Sequence, residues 1–543
     1  MTVSFLSAAI AAASSLLAPG ENCPRWAMTG DIRTAPGAMA QAVVIEGDRI
    51  AAVGDMAVLA DVSEACIVSL PEGAVALPGL HDGHAHLIGV GARELTLNLE
   101  GVGSIAELKT RIGEAAMDLA PGETLFGRGW IETGWPEGRM PVAADLDEVV
   151  SDRPVILIRA DGHASVVNTA AMEAAGIDAD TVDPDGGRVE RDADGQATGL
   201  LIDTAMNYTD DLLPRMDEER RREALRVGAE MMASVGWTSV HNMSVAQADV
   251  PILEEMAEAG ELPIRVFNYL VPGALEQLVE EGTGCTEDDM VCTNGLKYYA
   301  DGALGSRGAL LFKDYSDQPG TRGLQLLSRE DALNFFQTAY ENDIQVTTHA
   351  IGDKANFLVL DWYKNVLGEL PKAERTAPRW RVEHAQVLRP NDIPLFTHFG
   401  LTASMQPSHA IGDLKFAPDR LGDIRLRGAY AWQLFTQNGA LVVGGSDAPV
   451  ERGDPRIEIY AATERRALDG TQEENWYPEQ ALADDQALAL FTTNAAYAIF
   501  KEDSLGRLEE GFYADISVFT GDPFEGDWDS AQPLMTVVGG KVR

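Results

Sequence analysis

The run Pro78-Gly79-Leu80-His81-Asp82-Gly83-His84-Ala85-His86 decides how the rest of the chain is read. It continues the apolar stretch Val75-Ala76-Leu77, and a short apolar run that ends in polar residues reads as a buried β-strand delivering side chains to a site. Alternate residues of a strand face the same side, so His84 and His86 offer two imidazoles to one point in space. That spacing predicts part of a metal site.

Seven further runs of the same texture follow. With the first, at 75–86, they cover 238–243, 264–270, 296–301, 344–349, 380–384, 401–406 and 440–447. Helical periodicity separates the later ones, as at 329–342 and 354–370, so the strands alternate with helices and form a parallel sheet. Eight such strands close a TIM (β/α)8 barrel, whose chemistry gathers at the strands' C-terminal ends. Short alternating segments at 26–75 and again from Gly511 to Val542 read as sheet from both termini. The expected division is therefore a composite β-sandwich domain from 23–75 and 497–543 and a distorted barrel domain from 76–496. The interval 88–232 is too long for one crossover helix and is expected to contain an inserted lid over the active-site mouth.

Composition narrows the function classes. The chain has 543 residues, 45% of them apolar and 23% charged, which is enough for a large core. Its 42 basic residues face 85 acidic ones, a formal net charge of -43, which repels nucleic acid and anionic membrane surfaces. The acidic residues are spread along the chain, as on a solvated surface suited to saline surroundings. Residues 5–18 are small and apolar and precede Pro19-Gly20, so 1–22 is expected to act as a signal peptide despite lacking a basic start. Four cysteines, Cys23, Cys66, Cys285 and Cys292, suit two disulfides in a periplasmic or secreted protein, with a cytoplasmic protein holding four thiols as the alternative.

The other candidate ligands end later strands. His349 closes Val346-Thr347-Thr348-His349, His384 closes Arg381-Val382-Glu383-His384, and Asp447 follows Gly444-Gly445-Ser446. Four imidazoles and one carboxylate at one level suit a divalent ion of borderline softness, zinc first, with manganese, cobalt or iron compatible. Lys297, in Gly295-Leu296-Lys297-Tyr298-Tyr299, is a lysine inside a buried strand. Such an amine is costly unless neutralised. As a carbamate it would bridge two cations; otherwise it snorkels to the rim.

These motifs, with Gly127-Arg128-Gly129-Trp130, Asp161-Gly162-His163-Ala164, Asp301-Gly302-Ala303-Leu304-Gly305-Ser306-Arg307 and His349-Ala350-Ile351-Gly352-Asp353, resemble the amidohydrolase superfamily nearly end to end. The resemblance is to its amidohydrolase-3 branch, which includes N-substituted formamide deformylases. It implies His84 and His86 on a first metal, His349 and His384 on a second, Lys297 carboxylated between them, and Asp447 as ligand and proton shuttle. One or two ions per chain are compatible with it.

Outside this set, His163 stands in a polar lid loop, where it either contacts substrate and polarises its carbonyl or simply orders the loop. His241 ends the second strand and is expected to support a ligand rather than be one. Asp301 and Arg307 either hold a polar group of the substrate or anchor a loop, and Trp130 is either a pocket wall or core. Gln406 and His409 follow the seventh strand and are expected to face substrate rather than metal, whereas His81 and His398 read as structural.

The expected activity is hydrolysis of a C–N amide-type bond in an N-acyl amine, N-formyl amine or cyclic amide, with a hydroxide held by the metal as nucleophile. An esterase, lactonase or carbamate hydrolase is the alternative on the same site, and a non-catalytic metal-binding or regulatory protein is the alternative from another class. The partner is a small molecule, with no nucleic acid and no membrane for the mature protein; a homo-oligomer is compatible with everything above.

Overall fold

A computed structural model describes residues 19–20, 23–117, 119–120, 122–213, 216–470 and 475–543. Apart from Pro19 and Gly20, the expected signal segment lies outside them.

Eight strands form the barrel in chain order: Leu80–Ala85, Trp237–Val245, Arg265–Leu270, Val291–Tyr299, Gln345–Ala350, Arg381–His384, Thr402–Met405 and Leu441–Gly444. Every neighbouring pair is parallel. Each expected apolar run supplies one of them, which bears out the distorted TIM barrel. Most of these strands are buried along their whole length, which is why they read as continuous apolar runs rather than alternating ones. The helices Arg329–Glu341 and Asp353–Leu367 occupy the two stretches of helical periodicity.

The first and eighth strands meet through side chains. Asp82 accepts hydrogen bonds from the Ser446 amide at 2.8 Å and the Ser446 hydroxyl at 2.5 Å, and the Asp447 amide donates to the His84 carbonyl at 2.6 Å. The last ligand-bearing segment is thereby fastened to the first.

Strands from both termini hydrogen-bond into one eight-stranded sheet. Val75–Pro78 pairs antiparallel with Ile516–Phe519, and the same run passes through Gly79 straight into the first barrel strand. A buried ion pair between Arg265 of the third barrel strand and Asp515, with N–O distances of 2.7 and 3.2 Å, joins this sheet to the barrel. The cysteines pair as Cys23–Cys66 and Cys285–Cys292.

The insertion is a third sheet, six strands between Leu97 and Asp203, with an apolar core on each face. The helices flanking it, Leu87–Leu95 and Glu218–Ser234, pack on each other and belong with the barrel wall. No helix among the described residues is long and apolar enough to cross a membrane.

Candidate active site

At the C-terminal ends of the barrel strands lies a cavity of about 380 Å3 whose walls include His86, Lys297, His349, His384, His409 and Asp447. The parallel register explains the convergence: Tyr299 stands level with His349, and Ala350 level with His384. A larger cleft of about 700 Å3 opens at the opposite end, beside Asn294 and Gln345, and carries none of the histidines. Chemistry, not size, therefore picks out the first.

His84 Nε2 and His86 Nε2 stand 3.4 and 3.2 Å from Asp447 Oδ1. On the other side of the same carboxylate, Oδ2 lies 4.0 Å from His384 Nδ1 and 3.6 Å from His409 Nε2. Two triads, His84-His86-Asp447 and His384-His409-Asp447, thus share one aspartate. The His349 ring sits 4.5 Å from that of His384, outside either triad. His384 and Asp447 both take a left-handed backbone, with φ of 69° and 58°, a strained state for residues with side chains that the surrounding packing must hold.

Each imidazole is oriented from behind. His84 Nδ1 donates to Glu383 Oε2 at 2.6 Å, His86 Nδ1 to the Met243 carbonyl at 3.0 Å, and His384 Nδ1 to Gln406 Oε1 at 2.8 Å, which leaves the lone pair of each ring on Nε2, the nitrogen that faces Asp447 in His84 and His86. Burial pushes the His84 imidazole down to about 4, so it is neutral and able to donate electrons at pH 7. Glu383 is held in turn by Arg381 through bonds of 2.7 and 3.1 Å, and Arg381 also donates to the carbonyl of Gly83, to Ser404 and to His241 Nδ1. Burial opposes the Glu383 carboxylate, but Arg381 and His84 keep it far below the usual range.

Lys297 Nζ lies 3.3 Å from His84 Nε2 and burial lowers its amine to about 8. His163 Nδ1 donates to Asp203 Oδ1 at 2.8 Å, and its ring faces that of His349 at 6.3 Å. Burial works against the imidazolium of His163, yet Asp203 and Asp161 raise its pKa above the ordinary histidine value.

Asp447 Oδ1 and His409 Nε2 are buried without any hydrogen bond, among nitrogen and oxygen donors of the kind that a divalent ion takes. The residues fit such an ion.

Several expected site residues lie elsewhere. Trp130 is fully buried in the lid core and donates to the Leu157 carbonyl, because a bulge between Arg128 and Trp130, with Gly129 at φ 110°, breaks the strand's alternation. Asp301 is fully buried and accepts from the amides of Leu310, Ile351 and Gly352, so it ties loops together. Arg307 pairs with Asp317 away from the cavity. Gln406 orients His384 and does not line the cavity, whereas His409 stands nearer the ligand cluster than its position after the seventh strand suggests. His81 is buried near His241, and His398 is exposed beside Phe399. Glu383, Arg381 and Asp203 were not singled out by sequence. Arg381 and Glu383 carried a signal, two opposite charges at i and i+2 on one face of a buried strand.

Residues 72–543 match the model of the amidohydrolase family. A putative amidohydrolase of Bacillus subtilis, YtcJ, is 34% identical over 87% of this chain and 89% of its own. The N-substituted formamide deformylase of Arthrobacter pascens is 25% identical over 95% of this chain and 97% of its own. Among solved structures, a metal-dependent hydrolase from Pyrococcus horikoshii superposes with a TM-score of 0.74 at 26% identity, covering 94% of this chain and all of that one. With a ligand cluster at the mouth of a barrel and a family match that runs almost from end to end, the chain belongs to the amidohydrolase family.

Proposed function

We propose that the protein cleaves a C–N bond of amide type in a small molecule, an N-acyl amine, N-formyl amine or cyclic amide, using divalent metal held at the barrel mouth. The observation that carries this reading is the pair of histidine triads that share Asp447. Likeness to a formamide deformylase over nearly the whole chain supports the choice of amide over ester.

Zinc suits the donors, with His84 and His86 at one position and His384 with His349 or His409 at the other. Lys297, partly unprotonated when its amine lies at about 8, is proposed to add carbon dioxide, losing a proton and becoming a carbamate between the two positions. A bound divalent ion would lower the pKa of a water toward neutrality and polarise the scissile carbonyl.

The chain's own part is proton traffic and orientation. Asp447 takes a proton from the attacking water on a carboxylate oxygen, holds it, and delivers it to the leaving nitrogen. His163, its Nδ1 tied to Asp203, presents Nε2–H to the carbonyl oxygen as negative charge develops there. Export through 1–22 and assembly into a homo-oligomer are further proposals that belong with this reading.

The test is Asp447→Asn with zinc supplied. Turnover of N-formyl and N-acyl amines is expected to fall by about 10²- to 10⁴-fold, the span typical of a lost general acid–base, while metal per chain stays near that of the unaltered protein. Activity that survives would remove Asp447 as the shuttle; an unaltered protein that binds no metal would remove the reading itself.

A further inference from the structure

The cavity holds a cation for which the reaction above has no use. Arg128 lies on the lid strand Leu125–Trp130 and lines the same cavity as His86, His349 and His384. The only hydrogen bond of its guanidinium among the described residues runs from Nη2 to the Ala160 carbonyl at 3.2 Å. Nε is buried with no partner, and among the described residues no carboxylate forms an ion pair with the guanidinium. Arg128 is half-buried, and the water lost at its Nε is replaced by no hydrogen-bond acceptor, which is costly for a charged group.

The neighbouring strand shows what a satisfied arginine looks like here. Arg159, on Val155–Arg159, is gripped by Glu132 at 2.8 Å and by Asp161. Four carboxyl groups line the cavity, and three of them are committed elsewhere. Asp161 belongs to Arg159, Asp413 accepts from the Tyr430 hydroxyl at 2.5 Å and from Gln386 at 3.0 Å, and Asp447 stands among the imidazoles. Glu451 makes no ion pair, and burial pushes it up to about 8, so it is mostly protonated at pH 7. Asp161 and Asp447 act on Arg128 only through space, with no hydrogen bond or ion pair to it among the described residues, so an anion that meets its guanidinium directly must arrive with the ligand.

We infer that the substrate carries a carboxylate in addition to its scissile amide, and that Arg128 binds this carboxylate. The flat guanidinium, whose Nη1 makes no hydrogen bond among the described residues and whose Nη2 makes one, matches a planar carboxylate at its Nη1–Nη2 edge better than it matches a neutral acyl or amine group. Gly162 leaves room for the approach, since a β-carbon there would stand 3.3 Å from Arg128 Nη2. The inference rests on the amide-cleaving reading and narrows its N-acyl and N-formyl amines to N-acyl amino acids or to amides of dicarboxylic acids.

Two pairs of probes distinguish those two sources of the carboxylate. N-formylphenylalanine is set against N-formyl-2-phenylethylamine, which lacks only the carboxylate on the amine side; N-succinyl-2-phenylethylamine is set against its N-butyryl counterpart for the acyl side. With zinc-loaded protein, one acid is expected to exceed its neutral partner in kcat/KM. Arg128→Met should lower that acid-to-neutral ratio by roughly tenfold to a hundredfold, mainly through KM, as the loss of a charged hydrogen-bonded pair implies. Arg128→Lys should restore part of the ratio, since it returns the charge without the fork. Unchanged melting temperatures would exclude misfolding as the cause.

A ratio that favours neither acid, or one that Arg128→Met leaves unaltered, overturns the inference while amide cleavage stands. Should no probe be cleaved, calorimetric titration of the four compounds into the zinc-loaded protein decides it separately. An acid bound by the unaltered protein and lost in Arg128→Met upholds the carboxylate site although the hydrolase reading has failed; equal binding by both proteins, or none, overturns it.

Discussion

Glu383 shows at the scale of a single side chain how the site works. It touches no cavity, yet its carboxylate fixes the proton of His84 on Nδ1 and so turns Nε2 toward Asp447 and Lys297. In Glu383→Gln the amide would present either its oxygen or its NH2 to His84, and Arg381 would lose the charge it grips with bonds of 2.7 and 3.1 Å. Metal affinity should fall by about 10- to 100-fold, the usual cost of a lost outer partner, and competition against a chelator followed by metal analysis measures it. An affinity unchanged within twofold would show that His84 keeps its orientation without help. The same residue marks what sequence reading can reach. His84, His86, His384 and Asp447 were legible because they terminate apolar runs, and histidine there has few other uses. Sequence leaves Trp130 between pocket wall and core and turns Gln406 toward substrate, because facing depends on a bulge and on the first turn after a strand, where period-two alternation no longer holds.

Elements carry the site only if the barrel wall stays tight behind them. The helix Leu87–Leu95, which follows directly on His86, lies against Glu218–Ser234 so closely that a β-carbon on Gly91 would stand 1.7 Å from the Ala224 carbonyl oxygen. Gly113, in the helix Ile105–Met117, has open space at the same place. Alanine gains about 1 kcal/mol of helix propensity at either position. At Gly91 a clash with backbone adds an overpacking cost of about 1–3 kcal/mol, and more where the helices must separate. Gly91→Ala should therefore lower the melting temperature and Gly113→Ala should leave it equal or higher, as calorimetry on the two variants would show. The opposite order would mean that the helix pair gives way easily. This contact is invisible in the sequence, which gives the interval 88–232 only as one that contains an inserted lid. Periodicity reveals an element and its buried face, but not which of two neighbouring bodies that face meets. The eight barrel strands were legible for the converse reason: a strand buried on both sides needs no partner to be recognised.

For the molecule as a whole, charge is the dominant fact. Even if each of the 42 basic residues were paired with a carboxylate, 43 of the 85 acidic residues would have no cation, as the net charge of -43 requires. Self-repulsion among them opposes the compact state, whereas exposed ion pairs such as Lys109–Glu148 and Lys415–Asp469 contribute at most about 1 kcal/mol each. Salt weakens both effects, and the excess decides which loss matters more. Raising sodium chloride from about 0.05 to 0.5 M shortens the screening distance from roughly 14 to 4 Å, which weakens repulsion between exposed carboxylates but does not reach buried pairs such as Arg265–Asp515. The melting temperature should rise over this range and then level off, with potassium chloride giving the same curve, because screening depends on ionic strength and not on the identity of the ion. A fall would place the balance with the ion pairs, and a rise that continued steeply past 1 M, or differed between the two salts, would point to ion-specific binding instead of repulsion.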